Sequence, residues 1–166
     1  MRKMIKTTLL SAVLLLAGCA ALSRIPPTVG DDLATVTAKF GQPSARYPAG
    51  AGQLLEYATG PFGQQTYMAR MGPDGRLLSF EQVLTSETFA TLKIGTANRD
   101  EVLHTLGRPA ERAFLDLSQL EVWSYRYKEG GVWNSMMHAH FDRNGVLRMM
   151  LNGPDPMYEE KRFWRD

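Results

Sequence analysis

Val102-Leu103-His104-Thr105-Leu106-Gly107-Arg108-Pro109 repeats a pattern met earlier in the chain, Val36-Thr37-Ala38-Lys39-Phe40-Gly41-Gln42-Pro43. The two Gly-x-Pro steps lie 66 residues apart. Each closes a short stretch with apolar residues at helical spacing: Leu33, Val36 and Phe40 in the first, Val102, Leu103 and Leu106 in the second. Asp31-Asp32 and Asp100-Glu101 place carboxylates in what reads as the first turn, where the helix dipole favours them. Val29-Gly30 and Ile94-Gly95 mark the turns that lead in, and Asn98 suits an N-cap. Gly41 and Gly107 fall where a helix end wants a left-handed residue, and Pro43 and Pro109 forbid its continuation.

Downstream the correspondence persists. Leu54-Leu55-Glu56-Tyr57 parallels Val122-Trp123-Ser124-Tyr125, and Thr66-Tyr67-Met68-Ala69-Arg70-Met71 parallels Met136-Met137-His138-Ala139-His140-Phe141. Asp74-Gly75 and Asn144-Gly145 separate apolar runs and read as two-residue hairpin turns, whose central residues both need positive φ. A fixed period that shares helix, cap, strand and turn signals marks an internal repeat. Each copy reads as a helix followed by an antiparallel meander, so the expected class is α+β, with two tandem repeats. Strands are expected near 45–47, 54–59, 65–72 and 76–84, then near 111–117, 121–128, 135–142 and 146–152. Thr85 to Leu92 should form an extra helix between the copies. About 60 residues is a marginal size for a separate core, so the copies are expected to pack together.

The chain has 166 residues and begins with Arg2, Lys3 and Lys6, followed by an apolar run from Leu9 to Ala17 broken by Ser11. A basic start before a short apolar run is a secretory signal. The run falls short of the roughly 20 residues that span a bilayer. Leu16-Ala17-Gly18-Cys19 resembles the lipobox of bacterial lipoproteins, which implies lipid attachment at Cys19. The sequence holds one cysteine, so no disulfide is possible within it, and lipidation accounts for a lone cysteine in an exported chain. Ala20 rather than Asp follows Cys19, which in the same lipoprotein rule implies the outer membrane, facing the periplasm. Without the three basic residues of the leader, 16 Lys+Arg stand against 17 Asp+Glu. That near-neutral balance does not suggest a nucleic-acid partner. The expected organisation is a signal peptide over 1–18, a tether over 19–28 containing Pro26-Pro27, repeats over 29–84 and 85–152, and a tail over 153–166.

Ile94-Gly95 through Val102, then Leu106-Gly107-Arg108-Pro109, Trp123-Ser124-Tyr125 and Phe141-Asp142-Arg143-Asn144-Gly145-Val146, resemble the BamE/SmpA (OmlA) lipoprotein domain. The resemblance covers Thr85 to Asn152 well and Val29 to Leu84 more loosely. It implies helices packed on an antiparallel sheet, and a role in the outer-membrane β-barrel assembly machine. The family member in that machine has one such domain; this chain has two. The β-lactamase inhibitor protein uses the same fold as a tandem pair.

Residues able to carry chemistry are sparse. His138 and His140 alternate along an expected strand and share a face, which is either the start of a metal site or a solvated sheet face. A third ligand at clear spacing is missing, and His104 sits on the helix. No Gly-x-Ser-x-Gly, Ser-x-x-Lys or His-Glu-x-x-His motif occurs, and Gly60-Pro61-Phe62-Gly63 lacks the residues that make a phosphate cradle. No cofactor, metal site or catalytic residue is expected. Trp123, Tyr125 and Tyr127 alternate and either form core beneath the helix or line a binding face, with Tyr57 as their counterpart in the first copy. Trp133 follows Gly130-Gly131-Val132 in an expected loop, where an indole is a good interaction anchor. The tail carries Tyr158, Phe163 and Trp164 beside Lys161, Arg162 and Arg165, either docked on its own domain or free for a partner.

Together these features lead to a non-enzymatic, lipid-anchored periplasmic binding module. Its expected partners are envelope proteins, with the β-barrel assembly machine as candidate, and it would support assembly or integrity of the outer membrane. The alternative is an inhibitor-like clamp on a soluble periplasmic enzyme; a catalytic role is the third.

Overall fold

The computed structural model describes residues 25–159. Helix α1 (Leu33–Phe40) opens the first repeat, with strands β1 (Ala45–Ala49), β2 (Gly52–Ala58), β3 (Thr66–Met71) and β4 (Leu77–Gln82) after it. Helix α2 (Ser86–Thr91) leads to α3 (Arg99–Leu106), then β5 (Glu111–Leu115), β6 (Leu120–Glu129), β7 (Trp133–Phe141) and β8 (Leu147–Pro154). The strands make two four-stranded antiparallel meanders, β1-β2-β3-β4 and β5-β6-β7-β8, so the chain is α+β.

Local chemistry repeats along with the order. Asp32 and Asn98 are the N-caps of α1 and α3, each side chain accepting from the backbone N–H three residues on. Both cap residues also bridge the start of the last strand of their unit, Asp32 to Arg76 and Asn98 to Val146. Gly30 donates to the Leu77 carbonyl and Gly95 to that of Leu147. Both third strands shift register at the same place, between Arg70 and Met71 and between His140 and Phe141.

Several expectations need correction. Asp31 and Asp32 lie outside the first turn of α1: Asp32 caps it, and Asp31 pairs with Lys39 at 2.6 Å. Gly41 and Gly107 have positive φ, but their ψ values of −171° and −168° lie far from the left-handed helical well. The chain leaves each helix in an extended, glycine-only conformation, while the Gly N–H still bonds the carbonyl four residues back. Gly75 and Gly145 also have positive φ, but Asp74 and Asn144 do not, since Gln119 alone does so among the described non-glycine residues. The hairpins therefore use a longer turn with one glycine at the special position. Trp133 begins β7, opposite Glu129, so it is a strand residue. β8 runs on through Gly153-Pro154; a proline fits there because β8 is an edge strand. Ile25, within the expected tether, donates its N–H to the Lys39 carbonyl at 3.1 Å.

Two apolar clusters hold the molecule together. The smaller lies between α1 and one face of the first sheet: Val36, Phe40, Leu55, Tyr57, Ala69, Met71 and Leu77. Phe40 meets the Tyr57 ring edge-on at 5.2 Å. The larger joins Leu54 and Met68, from the opposite face of that sheet, with α2, α3 and the inner face of the second sheet. Trp123, Tyr125 and Tyr127 all lie within it, so the alternating aromatic stripe is core. Each such side chain contributes on the order of 2–3 kcal/mol by its burial. The first sheet is thus covered on both faces, by its own helix and by the helices of the second repeat.

Candidate recognition surface

Glu56 is the joint between the repeats. It sits on β2, is fully buried, and faces the end of α3. The Arg108 backbone N–H donates to its Oε2 at 3.1 Å, and Arg108 Nε donates to its Oε1 at 3.1 Å. Tyr47 donates its hydroxyl to Oε2, and Arg108 Nη2 reaches the Ser44 carbonyl at 2.8 Å. Burial, and after it the Glu56 bond, push the Tyr47 hydroxyl far above the usual phenol range, so it remains a donor. A buried carboxylate is tolerable because both of its oxygens have donors. Tyr125 donates to the Gly107 carbonyl at 3.2 Å, pinning the same helix end from the second sheet. Tyr125 also lines a cavity of about 250 Å³ with Glu56, Thr66, Arg108 and Arg126.

A second buried polar hub lies at the far end of β6. Arg126 donates to the Pro61 carbonyl through Nη1 at 2.9 Å and to Glu111 through Nη2. Its Nε faces Asp155 Oδ2 at 3.2 Å as an ion pair out of hydrogen-bond alignment. Asp155 in turn accepts from the Met157 N–H at 3.1 Å, and its own N–H donates to the Asn134 carbonyl at 3.0 Å. Gln64 donates to the Asn134 side chain at 2.9 Å. These bonds tie three loops together: 59–65 of the first repeat, the β6–β7 hairpin, and the turn after β8.

Each of those loops carries exposed apolar side chains: Phe62 on the first, Val132 and Trp133 on the second, Met157 and Tyr158 on the third. Trp133 is 71% exposed. The result is an apolar rim on a fixed base, where several large side chains stay in water at one end of the molecule. Trp133 and Tyr158, expected from the sequence as contact candidates, are exposed. Phe62, Val132 and Met157 carried no signal in the sequence, and for the hub the available signal was an arginine in the middle of an aromatic strand. Phe163, Trp164 and Cys19 lie outside the described residues.

The histidines take separate places. His104 packs its ring 5.1 Å from that of Tyr47, across the repeat junction. His138 Nδ1 and Ser124 Oγ are hydrogen-bonded at 2.8 Å on the outer face of the second sheet. A serine beside a histidine is the start of a nucleophile–base pair. No carboxylate is bonded to His138 among the described residues to orient it, and Ser124 lies buried in mid-strand. His140 shares that face; burial, then the neighbouring His138, hold its ring below the usual imidazole range. Among the described residues no group of three or more metal-ligating side chains gathers. None of the described helices is long and apolar enough to cross a membrane.

No family model matches the chain, and no curated protein does. A DUF4309 family protein (YjgB) from Bacillus subtilis aligns with 82% of this chain and 90% of its own at 15% identity, with a TM-score of 0.32. A likeness at that level carries no inference about function.

Proposed function

We propose that the protein is a lipid-anchored binding module of the bacterial envelope that acts by surface recognition rather than by catalysis. The observation that carries this reading is the rim of Phe62, Val132, Trp133, Met157 and Tyr158 on the Arg126–Asp155 hub. Recognition energy concentrates in a few large side chains held in place, because little entropy is then lost on binding. The anchor is Cys19, and the module stands at the outer membrane and faces the periplasm. Its two units are tandem BamE-like domains, and its partners are envelope proteins, with the β-barrel assembly machine first among them.

The test is affinity capture from detergent-solubilised envelopes with the full chain and with a Phe62→Ala/Trp133→Ala variant. Barrel-assembly components should be recovered with the wild type and lost, by at least about tenfold, with the variant. Melting should change little, because both side chains are exposed. Recovery of a soluble periplasmic hydrolase instead would favour an inhibitor-like clamp. Equal capture by both proteins would refute the rim as the contact.

A further inference from the structure

We propose that a second copy of this chain pairs with the free edge of β5, antiparallel about Phe114, to join two four-stranded sheets into one of eight. β5 is the first strand of the second sheet, and all five of its residues are exposed. Among the described residues, no strand pairs with its other side. An unpaired edge is a template for another strand unless charge, proline or cover blunts it. The other edges are blunted: Pro48 interrupts β1, whose Tyr47 and Ala49 pack on the core; β8 ends in Pro154; β4 carries Glu81 and Gln82. β5 has two charges, but both fold back onto their own sheet. Glu111 pairs with Arg126, and the Arg112 guanidinium lies over the Trp123 ring at 4.4 Å. That leaves Phe114, Leu115 and Leu117 bare, with Phe114 54% exposed.

The sequence of this edge is complementary to itself. A two-fold axis at Phe114 sets the two phenyl rings opposite each other. It also sets Leu115 against the second copy's Ala113, so the whole apolar half of the strand is matched within its own length. An aromatic pair directly across a ladder is a favourable combination. Shifting the axis to Ala113 would face Leu115 with Glu111 and Phe114 with Arg112, an apolar side chain against a charged one at each pair. A contact made by one residue set on both copies is the isologous, closed form that suits a dimer. One strand pair covers less than the roughly 800 Å² per partner of a standard interface, so the dimer is weak in dilute solution. Confinement to one membrane surface raises the effective concentration. The β5–β6 hairpin is at the opposite end of β6 from the Trp133 rim, so dimerisation leaves that surface free.

Mild oxidation of membranes from cells expressing the full chain tests the register. Phe114→Cys should give covalent dimer, because residues on the axis bring their Cα atoms within the ~4.4–6.8 Å that a disulfide needs. Ala113→Cys and Leu115→Cys should crosslink when expressed together, and each alone should give about tenfold less than Phe114→Cys, since like positions then lie beyond ~7 Å. Wild type is the control: dimer there would come from an unmodified Cys19 and would count against lipidation, not against this pairing. Adding Leu115→Lys to Phe114→Cys should abolish the product, because two lysines would enter the ladder. Equal dimer from Phe114→Cys and Ala113→Cys, or an adduct with a different protein as the main product from Phe114→Cys, would overturn the proposal.

Discussion

Replacing Gly107 and Gly41 by alanine separates backbone strain from tertiary contact at equivalent helix ends. Both glycines adopt positive φ with extended ψ, a conformation that costs a residue with a Cβ on the order of 1–3 kcal/mol. Alanine recovers about 0.4–1 kcal/mol by restricting the unfolded chain. Gly41→Ala should therefore destabilise by roughly 1–2 kcal/mol, since a Cβ there meets nothing within 4 Å. At Gly107 the added carbon would lie 3.0 Å from Thr66 Cγ2, 3.1 Å from Glu56 Cδ and 3.2 Å from Glu56 Oε2. Glu56 is not free to yield, because two bonds from Arg108 and one from Tyr47 fix its carboxylate. Displacing it weakens hydrogen bonds to a charged group, each worth about 1.5–3 kcal/mol. Gly107→Ala should thus cost about 1–3 kcal/mol more than Gly41→Ala. Urea unfolding at constant m-value measures both differences. In a Glu56→Ala background the excess should shrink, since the obstructing carboxylate is gone and only Thr66 Cγ2 remains close. Equal losses for the two alanine variants would refute the claim that Glu56 seats the end of α3.

Arg126→Met should destabilise by about 3–5 kcal/mol, because it strands Asp155 as a buried, unpaired charge, and Arg126→Met/Asp155→Asn should recover most of the loss in the same assay. His140 has a folded-state pKa below its unfolded value, so the unfolded chain binds the proton more readily. Stability from this group is complete above the unfolded value near pH 6.5 and falls as acid lowers the pH toward the folded value; unfolding of His140→Phe should show a flatter dependence in that window. Cys19→Ala should release the protein from the outer membrane and abolish metabolic acyl labelling; outer-membrane retention and labelling unchanged from wild type would defeat the anchor.

What the sequence determined by itself is the set of short-range features. Helices α1 and α3 follow from apolar residues at helical spacing, with Asp32 and Asn98 to start them and Gly41 and Gly107 to stop them. The meanders follow from alternating runs broken by Asp74-Gly75 and Asn144-Gly145. The repeat made these signals readable twice over. Even here the sequence missed the ψ of the two capping glycines, because positive φ alone does not say which way the chain departs. Tertiary structure decided everything that depends on residues far apart in the chain. Glu56 reads as one more charge on a strand until the stacking of the repeats brings Arg108, 52 residues away, onto it. Arg126 reads as a solvated charge on the face opposite the aromatic stripe until Pro61, Glu111 and Asp155 close around it. Trp133 was legible as exposed but not as a strand residue, because the length of β6 and β7 is set by pairing between them. Local propensity acts over one or two turns of chain, whereas a buried charge is allowed only where distant partners meet it.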